Sequence, residues 1–309
     1  MRAAVTGAFG YSGRYIARRL LDAGHSVLTL TNSLKRNNQF QGKVQAFPFH
    51  FSQPELLTQT LQGVDALINT YWVRFNHRLF NHDEAVANTK VLLQAAKDAG
   101  VRRIIHVSIT NPDIHSDLPY FRGKAELESY LASLGISYCI LRPAVLFGKE
   151  DVLVNNIAWS LRHLPVFGLF GNGDYKLQPI YVDDLASAAV EKATGEQNEI
   201  VNAIGPETFT YRELVETVRR LLGLKRLVVN VPPGLGYWAC RVTGLLVRDV
   251  VITREEIRGL MEGRLCVEAP PLGATKLTEW VDRHKDTLGR HYTSEIARRV
   301  DRFSEYRSN

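Results

Sequence analysis

Val5-Thr6-Gly7-Ala8-Phe9-Gly10-Tyr11-Ser12-Gly13 closes a short apolar strand over residues 3–6 and opens a helix over 12–23, where Ile16, Leu20 and Ala23 recur at helical spacing. Glycines spaced this way between a strand and a helix serve a tight turn, a close backbone approach and close packing of helix on strand. The free amide groups and positive dipole end of such a helix make a seat for phosphate. Gly7, Phe9, Gly10, Tyr11, Ser12 and Gly13 are therefore candidates to hold the pyrophosphate of a dinucleotide.

Working outward, residues 26–31 form a second buried strand, and its end is where a dinucleotide fold distinguishes its two cofactors. An acid there accepts from the ribose 2′-hydroxyl and repels a 2′-phosphate. Here the chain reads Thr31-Asn32-Ser33-Leu34-Lys35-Arg36, with no acid. The amide, hydroxyl and cationic donors of Asn32, Ser33, Lys35 and Arg36 suit NADP better than NAD. A strand over 44–49, a helix over 54–61 and a strand over 65–70 continue the alternation. Thr70 and Tyr71 fall at the carboxyl end of that last strand, the edge where open parallel sheets bind ligands, and join the cofactor candidates. Trp72 follows them, and packing and pocket lining are both open to these aromatics.

A helix over 83–99, a strand over 102–108, a helix over 119–134 and a strand over 136–142 complete an α/β pattern that predicts a Rossmann-type doubly wound parallel sheet. Ser108 ends its strand on the ligand edge. Tyr120 and Lys124 are four residues apart, so they share one helical face. An ammonium beside a phenol favours the phenolate, and such a phenol exchanges a proton with a substrate hydroxyl or carbonyl. Ser108 is the candidate to hold the substrate oxygen.

Pro143 and Gly148 punctuate the turn that follows, with Val145 between them. A helix over 152–163 and a glycine-rich loop over 165–174 suited to covering a ligand come next. A β-segment over 178–182 leads into Asp183 and Asp184, expected to cap a helix over 185–193, and 199–203 gives a last strand. Helices are expected over 211–222, 254–262, 276–287 and 293–306. The apolar segment 234–247 carries Tyr237, Trp238, Leu245 and Leu246 beside Arg241 and Arg248. Core packing is its expected role, with membrane contact or closure over a substrate as alternatives. Residues 1–148 plus 177–204 are thus assigned to a nucleotide-binding domain. Residues 149–176 plus 205–309 are assigned to a smaller, mostly helical C-terminal lobe for a small-molecule substrate.

With 309 residues and 45% hydrophobic composition the chain buries a sizeable core. Its net charge of +6, 38 basic against 32 acidic residues, is spread along the chain. That balance suits anionic small ligands and argues against dedicated nucleic-acid binding. Cysteines at 139, 240 and 266 form no close pair, and the nine histidines show no ligand spacing, so neither a disulfide framework nor a metal site is expected. No leader-like segment or long apolar run is evident, which gives a cytoplasmic expectation, at most peripheral to a membrane.

Thr6-Gly7-Ala8-Phe9-Gly10-Tyr11-Ser12-Gly13 resembles the cofactor fingerprint of extended and atypical short-chain dehydrogenases/reductases. Tyr120-Phe121-Arg122-Gly123-Lys124 resembles their tyrosine-lysine motif, and Leu141-Arg142-Pro143 and Tyr181-Val182-Asp183-Asp184 resemble later landmarks. Thr253-Arg254-Glu255-Glu256 and Thr287-Leu288-Gly289-Arg290-His291-Tyr292 are similar to a branch related to the NADPH-binding accessory subunit of respiratory complex I. The resemblance implies an NAD(P) site that also takes in Pro143 and Val145. Tyr120 would be the acid/base, Lys124 would serve both the nicotinamide ribose and the phenol, and Ser108 would orient the substrate. Ser108 precedes Tyr120 by 12 residues, a short spacing that leaves Thr110 and Asn111 as alternatives for the serine's role, and His50 stands where an acid is usual. The implied activity is NADP-dependent oxidoreduction or epimerisation. Association with a respiratory or other membrane complex, as a non-catalytic nucleotide-binding subunit or assembly factor, is the alternative.

Overall fold

The computed structural model describes residues 1–306. In chain order the elements are β1 (Arg2–Thr6), α1 (Tyr11–Asp22), β2 (Ser26–Leu30), β3 (Val44–Phe47), α2 (Pro54–Leu61), β4 (Ala66–Asn69), α3 (His82–Asp98), β5 (Arg103–Val107), α4 (Pro119–Ser133) and β6 (Ser137–Pro143). Then follow β7 (Val145–Phe147), α5 (Leu153–His163), β8 (Val166–Phe170), β9 (Lys176–Leu177), β10 (Pro179–Tyr181), α6 (Val182–Ala193) and β11 (Glu199–Ala203). The chain ends with β12 (Phe209–Thr210), α7 (Tyr211–Leu221), β13 (Leu227–Val231), α8 (Pro233–Val247), α9 (Arg254–Met261), α10 (Leu277–His284) and α11 (Glu295–Val300). They fall into two compact units, the first made of Met1–Pro143, Asp183–Ala203 and Arg302–Glu305, the second chiefly of Ala144–Val182 and Ile204–Asp301.

The first unit is built on a parallel seven-stranded sheet in the order β11-β6-β5-β4-β1-β2-β3. Strand order reverses at β1, which pairs with β2 on one side and β4 on the other, so the glycine turn leaves the sheet at its switch point. Helices cover such a sheet on both faces, and its strands accordingly read as apolar runs. Every residue of β4, Ala66-Leu67-Ile68-Asn69, is buried. Leu28, Leu57, Leu67, Leu92, Ile104 and Ile140 belong to one core cluster. Helix α6 begins at Val182, earlier than the sequence suggests, which places Asp183 and Asp184 inside its first turn. Asp183 is thereby corrected from a cap to an ion-pair partner: its Oδ1 accepts from Arg18 Nη2 at 2.9 Å and Arg19 Nε at 2.8 Å.

The second unit packs Phe147, Ile157, Leu161, Leu169, Val215, Val218, Trp280 and Val281 into a core of its own. Capping boxes start α7 at Thr210 and α9 at Thr253. Two expectations change here. The glycine-rich stretch 165–174 is no simple loop, because β8 within it pairs in parallel with β13, Val166 opposite Leu227 through Phe170 opposite Val231. Glycine at 168 makes room for this pairing, since a Cβ there would lie 3.2 Å from Val231 Cγ2. Helix α8 is also not packed through its large apolar residues, for its buried positions are Gly236 and Gly244.

Candidate functional site

The turn after β1 depends on glycine. Gly7 has φ +66°, and Gly10 N donates to Gly7 O at 2.7 Å. A Cβ on Gly13 would stand 2.3 Å from Gly7 O and 2.7 Å from Gly7 C, so any side chain there drives α1 off the turn. Ala8 N donates to Thr29 Oγ1 at 2.9 Å, and that hydroxyl donates to Val5 O at 2.7 Å, tying the turn to β2. Gly10 is the N-cap of α1 with no side-chain cap among the described residues, and the first turn, which holds Tyr11 and Ser12, has no acid. A helix start with neither a side-chain cap nor an acid suits an anion. Phe9 is buried with its ring 6.3 Å from that of Phe40, and the Tyr11 ring meets Tyr15 edge-on.

A polar ladder runs beneath this turn across the carboxyl ends of β1, β4 and β5. Thr6 Oγ1 donates to Asn69 Oδ1 at 3.1 Å and accepts from Thr70 N at 2.7 Å, while Thr70 Oγ1 donates to Thr6 O. Asn69 Nδ2 donates to His106 Nδ1 at 3.0 Å. His106 is fully buried, and burial together with the nearby Lys124 charge holds its pKa well below the ordinary range, so the ring is neutral. His106 escaped sequence reasoning because a lone histidine in an apolar strand carries no pattern.

After β2 the structure brings Arg36 and Ser33 together. Arg36 is buried; its Nη2 donates to Ser33 Oγ at 3.3 Å and its Nη1 to Ser304 O at 2.8 Å. Asn37 N donates to Phe303 O at 2.7 Å, and Arg302 Nη1 to Asn32 O at 3.3 Å. Arg14, directly after the third glycine, is also buried, and its Nη2 lies 3.5 Å from Glu305 Oε1. Residues 302–305 thus run along the loop after β2, beside both arginines. Lys35 and Asn32 are exposed, as is Leu34 between them. Arg14 went unnoticed in the sequence, although its place after Gly13 was the available signal.

At the end of β5, Ser108 N donates to Leu141 O at 2.7 Å, and Thr110 N to Pro143 O at 3.0 Å. Ser108 Oγ is buried with no hydrogen-bond partner among the described residues. Thr110 is fully buried, whereas Asn111 is exposed in a left-handed conformation with φ +50°. On α4, Lys124 is 2% exposed; its Nζ donates to Val107 O at 2.7 Å and lies 4.3 Å from the centre of the Trp72 ring. Burial pulls its pKa down to about 7, against an opposing pull from Glu128.

Tyr120 meets the Trp72 ring edge-on at 5.6 Å and the His82 ring at 5.7 Å. Trp72 is therefore common to the tyrosine and the lysine. Gly123 admits it, since a Cβ there would lie 3.0 Å from Trp72 Cη2. Tyr71 instead packs on Phe49 and Phe51 and accepts from Asn88 Nδ2 at 3.2 Å. His50 is half-buried with φ +48°. Pro143 ends β6, and Val145 opens β7 in the other unit. Among the described residues no group of His, Cys, Asp or Glu is placed to hold a metal ion.

A glycine turn at the switch point of a parallel sheet, with a hydroxyl at the end of β5 and a tyrosine-lysine pair on α4, defines a dinucleotide-binding α/β protein of the Rossmann type. The chain belongs to the NAD dependent epimerase/dehydratase family, which matches residues 3–203. It is 29% identical over 240 residues to the mitochondrial NADH-ubiquinone oxidoreductase 40 kDa subunit of Neurospora crassa, covering 74% of this chain and 62% of that protein. It is 28% identical to the mitochondrial NADH dehydrogenase [ubiquinone] 1 alpha subcomplex subunit 9 of Arabidopsis thaliana, over 69% of this chain and 56% of that one. The chain therefore spans less than two thirds of the length of these two relatives. The Photosystem II assembly factor Ycf39 of Guillardia theta is 25% identical over 74% of this chain and 72% of its own.

Among solved structures, the Citrobacter sp. triphenylmethane reductase complexed with NADP(H) superposes with a TM-score of 0.75 at 20% identity, over 92% of this chain and 99% of that one. The Escherichia coli NADPH-dependent quinone oxidoreductase QOR2 complexed with NADPH gives 0.72 at 23% identity, over 91% and 99%. At these identities the likeness is one of fold.

Proposed function

We propose that the chain is an NADP(H)-dependent oxidoreductase, or an epimerase using the same acid/base chemistry, acting on a small carbonyl or hydroxyl substrate. The observation that carries this reading is Ser108 Oγ, a buried hydroxyl without a hydrogen-bond partner among the described residues, at the strand end before the Tyr120 and Lys124 helix. Leaving such a group unsatisfied costs about 1–3 kcal/mol, a cost that an arriving ligand oxygen relieves. The glycine cradle and the uncapped start of α1 fit a pyrophosphate. Arg14, Ser33 and Arg36 would hold a 2′-phosphate, which supports NADP over NAD.

When bound, the dinucleotide supplies hydride chemistry at the substrate carbon. The Ser108 hydroxyl then donates a hydrogen bond to the substrate oxygen, and the Tyr120 phenol gives that oxygen its proton, or takes it in the reverse direction. Lys124 in its charged form favours the phenolate that Tyr120 becomes. Tyr120→Phe should lower NADPH consumption about 100-fold or more with a water-soluble quinone or an aromatic aldehyde as acceptor. Its NADPH affinity should stay within about twofold of wild type, since the phenol hydroxyl lies outside the phosphate-binding groups. Undiminished turnover in that variant would remove the assignment.

A second reading has specific support: a nucleotide-binding subunit or assembly factor of a membrane-associated redox complex. The names of the complex I and photosystem relatives favour it, and so does the engagement of Lys124 with Val107 O. Under this reading the protein retains NADPH through purification, fractionates with membranes and consumes no NADPH with either acceptor. A protein recovered free of nucleotide and of membranes would eliminate it.

A further inference from the structure

Helix α8 presents a second surface, unrelated to the nucleotide site. Leu235, Trp238, Val242, Leu245 and Leu246 are 66%, 61%, 60%, 78% and 78% exposed. At about 100° per residue these five positions fall within an arc of about 100°, one continuous stripe along the helix. The opposite side seats the helix, where a Cβ on Gly236 would lie 2.8 Å from Phe170 Cδ1, and one on Gly244 2.6 Å from Asp249 O. Glycine at 236 brings the helix backbone close to Phe170 and Val231 of the β8–β13 ribbon, glycine at 244 lets the segment after the helix fold back on it, and the large apolar side chains of the stripe are left outside.

The ribbon continues the surface. The register pairs Val166 with Leu227, Gly168 with Val229 and Phe170 with Val231. In a parallel ladder paired residues share a face, so Val166, Leu227 and Val229 lie on the face that α8 covers at Phe170 and Val231. These three are 40%, 67% and 38% exposed. On the ribbon's other face Phe167, Leu169 and Val228 join the core.

Charge identifies the occupant. Residues 217–248 contain six Lys or Arg and no Asp or Glu: Arg219, Arg220, Lys225, Arg226, Arg241 and Arg248. Arg241 and Arg248 are exposed on α8 and at its end, and Lys225 is exposed just before Leu227. An apolar stripe carrying an exposed tryptophan, with Arg241 and Arg248 exposed on the helix and at its end and Lys225 exposed before the ribbon, matches the headgroup-to-acyl boundary of an anionic bilayer. No helix among the described residues is long and apolar enough to cross a membrane, so the contact is one of lying on the surface.

We infer that α8, with the outer face of the β8–β13 ribbon, docks the protein on an anionic lipid bilayer. This contact holds whether or not Tyr120 turns over. The test is co-sedimentation of the full chain with vesicles of phosphatidylcholine alone or with added phosphatidylglycerol. Wild type should partition at least about tenfold more onto the anionic vesicles, with Trp238 emission shifting to the blue. Leu245→Glu/Leu246→Glu should reduce that partition at least about tenfold, and Arg241→Ala should weaken it on anionic vesicles only. NADPH binding should be unchanged in both variants, which shows that they fold. Wild type left in the supernatant, equal binding to both vesicle types, or variants that bind like wild type would overturn the inference. So would a surface used only for self-association, or only for a purified protein partner, with no affinity for vesicles.

Discussion

Two ends of one sheet edge handle buried cations in opposite ways. At the end of β2, Arg36 and Arg14 are buried guanidiniums, with Arg36 donating to a backbone carbonyl and a hydroxyl and Arg14 beside a carboxylate. At the end of β5, Lys124 is buried at least as deeply, but burial has brought its pKa to about 7. A guanidinium keeps its charge under desolvation, whereas an ammonium gives up its proton. The first end is thus suited to fixed recognition of a phosphate. The second is suited to chemistry in which a charge must change near neutral pH.

The most severe way to break this contrast is to remove the turn that both ends share. Gly13→Val should abolish measurable NADPH binding by fluorescence titration, because the added atoms meet the Gly7 backbone rather than a side chain that can move aside. Binding retained within about tenfold would mean that the turn is not the phosphate seat.

A smaller effect probes the lysine end alone. Lys124 is charged below about pH 7 and neutral above it, where an exposed lysine would stay charged up to its ordinary value of 10.5. Carbonyl reduction, which needs Tyr120 to end as a phenolate, should therefore fall by several-fold as pH rises through about 7. Trp72→Ala opens Lys124 to water, weakens the burial that depresses its pKa, and should move this fall about one pH unit higher in a pH–rate profile. An unmoved profile would separate Lys124 from the pH dependence.

The sheet and its glycine turn were legible because the information is local. Strands buried on both faces read as apolar runs, and the turn needs its glycines within a few residues. The misread elements depend on distant partners. Residues 165–174 look like a loop until β13, far along the chain, supplies the pairing for β8. In α8 the leucine stripe suggests burial, yet the contact face is marked by Gly236 and Gly244, whose small size is the packing signal. Asp183 looked like a cap because its partners, Arg18 and Arg19, come from the first helix. Around the site, residue types named Ser108, Tyr120, Lys124 and Arg36. Their contacts were not readable: Trp72 over Lys124 comes from the loop after β4, and Ser304 against Arg36 comes from 268 residues away.

In the proposed reading a 2′-phosphorylated dinucleotide is recognised through Arg14 and Arg36. Calorimetric titration of NADPH and NADH into wild type and into Arg14→Ala/Arg36→Ala tests it most directly. Loss of charge-assisted hydrogen bonds at about 1.5–3 kcal/mol sets the scale. Wild type should bind NADPH at least about tenfold more tightly than NADH, and the double variant should bind the two alike, with its NADH affinity nearly unchanged. Equal or tighter binding of NADH by wild type, or a preference for NADPH that survives removal of both arginines, would contradict the account.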